Sequence, residues 1–113
     1  MKQIKAFIKP NRLDDVVRVL HRIDPLTGIS VSEVRGFGRT RGKQEGEGEE
    51  EQLYGYIPHF RLEIICMDDL VEPICSAIES AAHTGLRGDG KIYVSPIDDA
   101  VRISTGERGE AAV

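Results

Sequence analysis

The chain has 113 residues, 40% of them hydrophobic and 30% charged, with a formal net charge of −4. That length and balance describe a single ordinary globular domain over residues 1–113, neither a disordered chain nor two domains. The negative charge excludes a nucleic-acid binder held by a broad basic surface, and no apolar run approaches the roughly 20 residues of a membrane-crossing helix. With no signal-like segment after Met1, a cytoplasmic location is expected.

Ile4, Ala6 and Ile8 alternate with Gln3, Lys5, Phe7 and Lys9, which predicts a strand over 2–9 with one face on a core. After Pro10, Asn11 is placed to cap a helix whose apolar positions are Leu13, Val16, Val17, Leu20 and Ile23, with Asp14 and Asp15 in its first turn. Pro25 ends it. A second strand follows at about 29–37, where Val31 and Val34 alternate imperfectly.

A loop then runs from about 38 to 58, with little apolar content before Leu53, Tyr54 and Tyr56. Its cations Arg39, Arg41 and Lys43 precede Glu45-Gly46-Glu47-Gly48-Glu49-Glu50-Glu51. A connection this long and self-repelling is a functional or unstructured segment, expected to be ordered by a ligand or a partner protein. The Glu run reads as a solvated linker; its other reading, a divalent-cation site, lacks the ligand spacing of an EF-hand. His21, His59 and His83 are scattered, so no metal site is predicted.

Phe60, Leu62, Ile64 and Cys66 alternate with Arg61, Glu63, Ile65 and Met67, giving a third strand that becomes apolar on both faces and is therefore central. Asp68 or Asp69 is placed to cap a second helix carrying Leu70, Val71, Ile74, Cys75, Ile78, Ala81 and Ala82, and Gly85 to stop it in the left-handed conformation. Cys66 and Cys75 read as buried small hydrophobes, not as a metal or redox pair. A fourth strand covers 91–94. The order β-α-β, long connection, β-α-β predicts an α+β, ferredoxin-like fold: a four-stranded antiparallel sheet with two helices on one face. Its bare face is expected to be an apolar patch covered by oligomerisation, with Phe7 and Ile65 buried between subunits.

Before that last strand stands Gly88-Asp89-Gly90-Lys91. Gly88 and Gly90 can take positive φ and let backbone N–H groups approach an anion, while Lys91 adds a mobile charge, so the turn suits a phosphate. Taken alone, the same residues equally describe a tight turn closing a strand.

These stretches together resemble the PII signal-transduction proteins over essentially the whole chain. The matching residues are Lys9-Pro10 with Leu13-Asp14-Asp15, Glu33-Val34-Arg35-Gly36-Phe37-Gly38-Arg39, Thr84 with Gly88-Asp89-Gly90-Lys91-Ile92, and Arg102-Ile103 with Thr105-Gly106-Glu107. The resemblance implies a homotrimer with adenine nucleotide in the clefts between subunits, a T-loop at about 38–58 that docks on a target protein, and a C-terminal loop at about 102–113. By position, Gly36, Phe37, Gly38 and Arg39 would form the first wall of the nucleotide cleft and Gly88, Asp89, Gly90 and Lys91 its phosphate cradle. Ser30 and Glu63 would meet the base side, and Arg102 would come from the neighbouring subunit.

Three positions depart from that pattern. Thr40 stands where effector-binding members carry a Gln that holds a magnesium ion bridging ATP and 2-oxoglutarate, and His59 replaces a Lys that pairs with the effector's distal carboxylate. Ser104 replaces a second Arg that reaches the outer phosphates. The resemblance then favours ADP or AMP, with ATP a third candidate and magnesium left open, and it points away from 2-oxoglutarate. A small anion such as bicarbonate, as in a carboxysome-associated branch, would meet Arg39, Thr40, Arg41, His59 and Lys91. Gln52 stands where many members have a uridylylated Tyr, so that modification is not expected, and Tyr54 and Tyr56 read as docking or packing residues.

The expectation is a non-enzymatic sensor that signals through its T-loop to an enzyme, a transporter or a carboxysome-related partner. The alternatives are a nitrogen-regulatory sensor of ATP and 2-oxoglutarate and a regulator of a membrane transporter. A slow ATPase using Lys91 and a metal held by loop carboxylates is the competing class; Thr40 at the Gln position and Ser104 at the outer-phosphate Arg position speak against it.

Overall fold

The computed structural model describes residues 1–36 and 57–113, and within them period-two alternation sets the architecture. The elements are β1 (Lys2–Ile8), α1 (Leu13–Leu20), β2 (Ser30–Gly36), β3 (Ile57–Cys66), α2 (Val71–Ala82) and β4 (Gly90–Pro96). Short 3-10 turns lie at Pro10–Arg12, Asp68–Leu70 and Gly109–Ala112. The strands form one antiparallel sheet in the order β2-β3-β1-β4. This is the predicted ferredoxin-like double β-α-β unit, with the two strands of strongest alternation in its centre.

Ile4, Ala6 and Ile8 of β1 and Leu62, Ile64 and Cys66 of β3 are buried on the helix side. Against them pack Val16 and Leu20 from α1 and Ile74, Ile78, Ala81 and Ala82 from α2. Full burial of each large aliphatic side chain contributes about 1.5–3 kcal/mol, so this single layer between sheet and helices supplies most of the folding drive. Cys66 lies within it, whereas Cys75 is only half-buried, because α2 turns that position toward its flank. Burial pushes both thiols above their usual range.

Both helices begin differently from the sequence reading. No side-chain cap hydrogen bond forms at either start; each helix is entered through a 3-10 turn, closed by Arg12 N–H donating to Lys9 O and Leu70 N–H to Met67 O, both at 3.0 Å. Pro10 is at home there because the first positions of a helical turn need no N–H. Asn11 therefore caps nothing, and Asp68 accepts from the Met1 nitrogen at 2.9 Å instead, which holds its carboxyl below the usual range. At the other ends, α1 stops at Leu20 and leaves Ile23 in the following turn, packed on the edge of the core. The last turn of α2 gives way to extended backbone at His83, so Gly85 shapes the next turn and does not stop the helix.

Strand boundaries shift as well. β1 ends at Ile8, one residue short of the expected end, and β2 runs 30–36, the expected end at Phe37 lying outside the described residues. β3 starts at Ile57, inside the stretch read as loop, since residues 57–59 pair with β2 alone and β1 first pairs at Phe60. Pro58 is tolerated because its second flank has no strand partner among the described residues. β4 extends from Gly90 to Pro96.

The register places Phe7 and Ile65 on the face away from the helices, as expected. That face is not an apolar patch. Gln3, Lys5, Arg61 and Glu63 share it with Phe7, Ile65 and Tyr93, because the alternate positions of both central strands are mixed in polarity.

Candidate functional site

The turn between α2 and β4 is built around Asp89. Its carboxylate accepts from the Thr84 N–H at 2.9 Å, the Gly85 N–H at 3.2 Å and the Thr84 hydroxyl, and pairs with Lys9 Nζ at 3.2 Å. His83 Nδ1 stands 3.6 Å away. The Thr84 hydroxyl in turn accepts from the Leu86 N–H at 3.1 Å and from Lys9 Nζ at 3.2 Å, which uses its one donor and two acceptor sites. The Thr84 hydroxyl and N–H, with Lys9 behind them, hold the Asp89 carboxyl far below the usual carboxylate range. Arg12 anchors the start of the turn, donating through Nε and Nη2 to the Ala81 carbonyl at 2.9 and 2.7 Å, one of the carbonyls that the end of α2 leaves without a helical partner.

Gly88 and Gly90 take φ of +82° and +108°, the left-handed region expected of them. Gly90 has a second constraint: a Cβ there would sit 1.7 Å from the Phe7 carbonyl oxygen. The turn can close against β1 only without a side chain. Lys91 follows on β4, exposed and opposite Phe7. Lys9 is neutralised by Asp89, while Lys91 forms no ion pair with another described residue. Beside them lies a cleft of about 300 Å³ whose walls include Phe7, Ile78, His83, Asp89 and Lys91.

The predicted site residues fall into three groups. At the end of the sheet that carries the turn, Gly36 closes β2 opposite Ile57, and no described residue lies within 4 Å of where its Cβ would be. His59 is on the same end, paired with Val34, its Nδ1 3.2 Å from the Ile57 carbonyl. Ser30 and Glu63 form a second group as direct cross-strand partners on the face away from the helices. β1 stands between this pair and Lys91, with the Phe7 ring edge-on to Tyr93 at 6.2 Å and 84°. Arg102 is the third, in a C-terminal hairpin held by the Val101–Arg108 bridge and by Arg102 N–H donating to Glu107 O at 2.9 Å. Its guanidinium reaches Glu107 at 3.7 Å and the Val113 carbonyl at 3.4 Å, with no contact to the Gly88–Lys91 turn among the described residues. Phe37, Gly38, Arg39, Thr40 and Arg41, with Gln52, Tyr54 and Tyr56, lie outside the described residues.

One copy of the chain therefore sets the turn, Gly36 and His59 at the same end of the sheet, with the turn and Gly36 on its opposite edge strands, and places Ser30, Glu63 and Arg102 elsewhere. The bracing by Lys9 and Thr84 went unread in the sequence. A hydroxyl five residues before a carboxylate in a Gly-rich turn was the signal available, since short polar side chains there bond to local backbone N–H groups.

Comparison with known proteins agrees with this architecture. Residues 1–107 match the family model described as nitrogen regulatory protein P-II. The chain is 45% identical to the nitrogen regulatory protein P-II of Azospirillum brasilense and 47% identical to that of Rhodospirillum rubrum, both over 113 residues and the full length of each chain. The crystal structure of Arabidopsis thaliana PII bound to citrate matches with a TM-score of 0.79 and 36% identity, covering 99% of this chain and 91% of that one. Sequence and fold lead to one assignment: the chain belongs to the nitrogen regulatory protein P-II family of signal-transduction regulators.

Proposed function

We propose that this protein is a non-catalytic, cytoplasmic sensor that works as a homotrimer and binds adenine nucleotide together with a small anion in the clefts between subunits. The observation that carries the reading is the Gly88–Lys91 turn. Two glycines at positive φ, a backbone packed too closely on β1 for any side chain at Gly90, and an exposed Lys91 that forms no ion pair among the described residues fit a phosphate group. Asp89 is the turn's carboxylate and is committed to Thr84 and Lys9, so it serves as a brace and not as a base. That supports binding without turnover.

Separation of the three residue groups supports a cleft shared between copies. Ile103, 98% exposed on a hairpin of fixed geometry, and the exposed Tyr93 and Val94 on the edge strand supply apolar surface for neighbours to cover. ADP or AMP is the favoured nucleotide because Ser104 offers no charge to outer phosphates. The anion, bicarbonate in the leading reading, would be held by Lys91 and His59 with Arg39, Thr40 and Arg41. A ligand that meets Arg39 and Thr40 in only one arrangement of the T-loop shifts its population, and a bias of about 1–3 kcal/mol suffices to control docking on a target protein.

The second reading is a sensor of ATP and 2-oxoglutarate, favoured by the nitrogen-regulatory names of the relatives. Calorimetric titration with AMP, ADP and ATP, each with bicarbonate or 2-oxoglutarate at saturating magnesium, separates the two. Tighter ADP or AMP binding with bicarbonate supports the first reading. Tighter ATP binding with 2-oxoglutarate supports the second, and no nucleotide binding at all rejects both.

A further inference from the structure

We infer that Gln3 is a positioning residue for base selectivity, acting through Glu63; this rests on the reading of Glu63 as the group that meets the base. Glu63 lies on β3 between Lys5 of β1 and Ser30 of β2, on the face away from the helices. Gln3, on the same face of β1, donates its side-chain N–H to Glu63 Oε2 at 3.1 Å. Arg61 brings its Nε within 3.1 Å of the other oxygen, Oε1. That nitrogen is sealed from solvent and makes no hydrogen bond with another described residue, so the contact draws the carboxylate by charge without aligning it. Direction comes from Gln3.

A carboxylate only accepts hydrogen bonds. Adenine offers an amino donor at N6, where guanine has the O6 acceptor. An acceptor fixed in place therefore favours adenine and leaves guanine with an unmatched oxygen, a mismatch that costs more than a missing bond. Without Gln3, Glu63 keeps its charge and regains rotamer freedom, and the cost of ordering it moves into the binding step. A carboxylate free to swing away also ceases to repel O6. Gln3 should thus govern the choice of base and leave phosphate binding alone.

The test is calorimetric titration of the full chain, wild type, Gln3→Leu and Gln3→Lys, with ADP and with GDP. The wild type binds ADP more tightly than GDP. Gln3→Leu weakens ADP about three- to tenfold, the cost of ordering the Glu63 side chain on binding, and leaves GDP unchanged or tighter, so the selectivity ratio collapses. Gln3→Lys keeps an N–H donor at similar reach and retains the ratio. Gln3→Glu, of the same shape without a donor, must collapse it as Gln3→Leu does, which keeps the test available if the apolar variant folds poorly. An unchanged ratio in Gln3→Leu, or equal losses for ADP and GDP, overturns the role of Gln3 while leaving nucleotide binding standing. Wild-type protein that binds neither nucleotide overturns the nucleotide reading and this inference together.

Discussion

Gly90→Ala is the sharpest test of how the turn is built. The added Cβ would stand 1.7 Å from the Phe7 carbonyl oxygen and 2.8 Å from the Phe7 carbonyl carbon, and real contacts of this kind stay beyond 3.0 Å, so β1 and β4 must part by more than about 1 Å there. β4 is an edge strand paired with β1 alone, and Ile8–Gly90 is the terminal pair of that ladder, so it yields by peeling at this end. One or two ladder hydrogen bonds at about 1 kcal/mol each, plus about 1–2 kcal/mol for a non-glycine residue at positive φ, give a loss of about 2–4 kcal/mol. Gly88→Ala is the control: it carries the φ cost, while its nearest neighbour would be Lys9 Cε at a comfortable 3.8 Å. It should lose only about 1–2 kcal/mol. Urea unfolding followed by circular dichroism, at one fixed protein concentration for an oligomer, compares the two. Displacement of Lys91 should weaken ADP binding in Gly90→Ala as well. A Gly90→Ala protein no less stable than Gly88→Ala would refute the close approach of the turn to β1.

Lys91→Ala should lower affinity for AMP, ADP and ATP alike and leave the unfolding midpoint unchanged, because it removes an exposed charge and no packing; equilibrium titration beside thermal melting checks both. Asp89→Asn should loosen the turn by mismatching one of the donors now shared with Thr84, Gly85 and Lys9. Since the folded carboxyl titrates below its unfolded value of about 3.9, its contribution is fully present above that pH and is lost as pH falls toward the folded value. The stability gap between wild type and Asp89→Asn should therefore be constant near neutrality and shrink below about pH 4, read from urea midpoints across pH. Ile74→Ala, wholly inside the core, should cost about 2–5 kcal/mol and leave ADP affinity intact under folding conditions, so calorimetry and urea unfolding should part company for this variant.

The sheet was legible because Ile4, Ala6 and Ile8 and then Leu62, Ile64 and Cys66 alternate without interruption, and a strand with one face on a core must do so. Helix entries were not. Asn11 and Asp68 have the right chemistry for capping, but Pro10 and the turn after Met67 impose 3-10 geometry that puts those side chains elsewhere. Positive φ at Gly88 and Gly90 could be expected from residue type alone, whereas the contact of Gly90 with Phe7 depends on a register that only the folded sheet supplies. In the same way, Asp89 reads as a ligand group in one dimension and becomes a brace once Thr84 and Lys9 are folded around it. The face away from the helices, expected to be apolar from Phe7 and Ile65, is mixed because Gln3, Lys5, Arg61 and Glu63 share it, and their network depends on the pairing of β1 with β3.

The measurement that bears most directly on the central claim is ADP titration of mixed oligomers. If each site takes Lys91 from one copy and Arg102 from the next, Lys91→Ala and Arg102→Ala proteins each bind weakly. Unfolding and refolding the two together then regenerates sites with both groups intact. A class of wild-type affinity reappearing in the mixture is the predicted result. A mixture that titrates as the average of two weak variants would contradict a nucleotide site built between subunits.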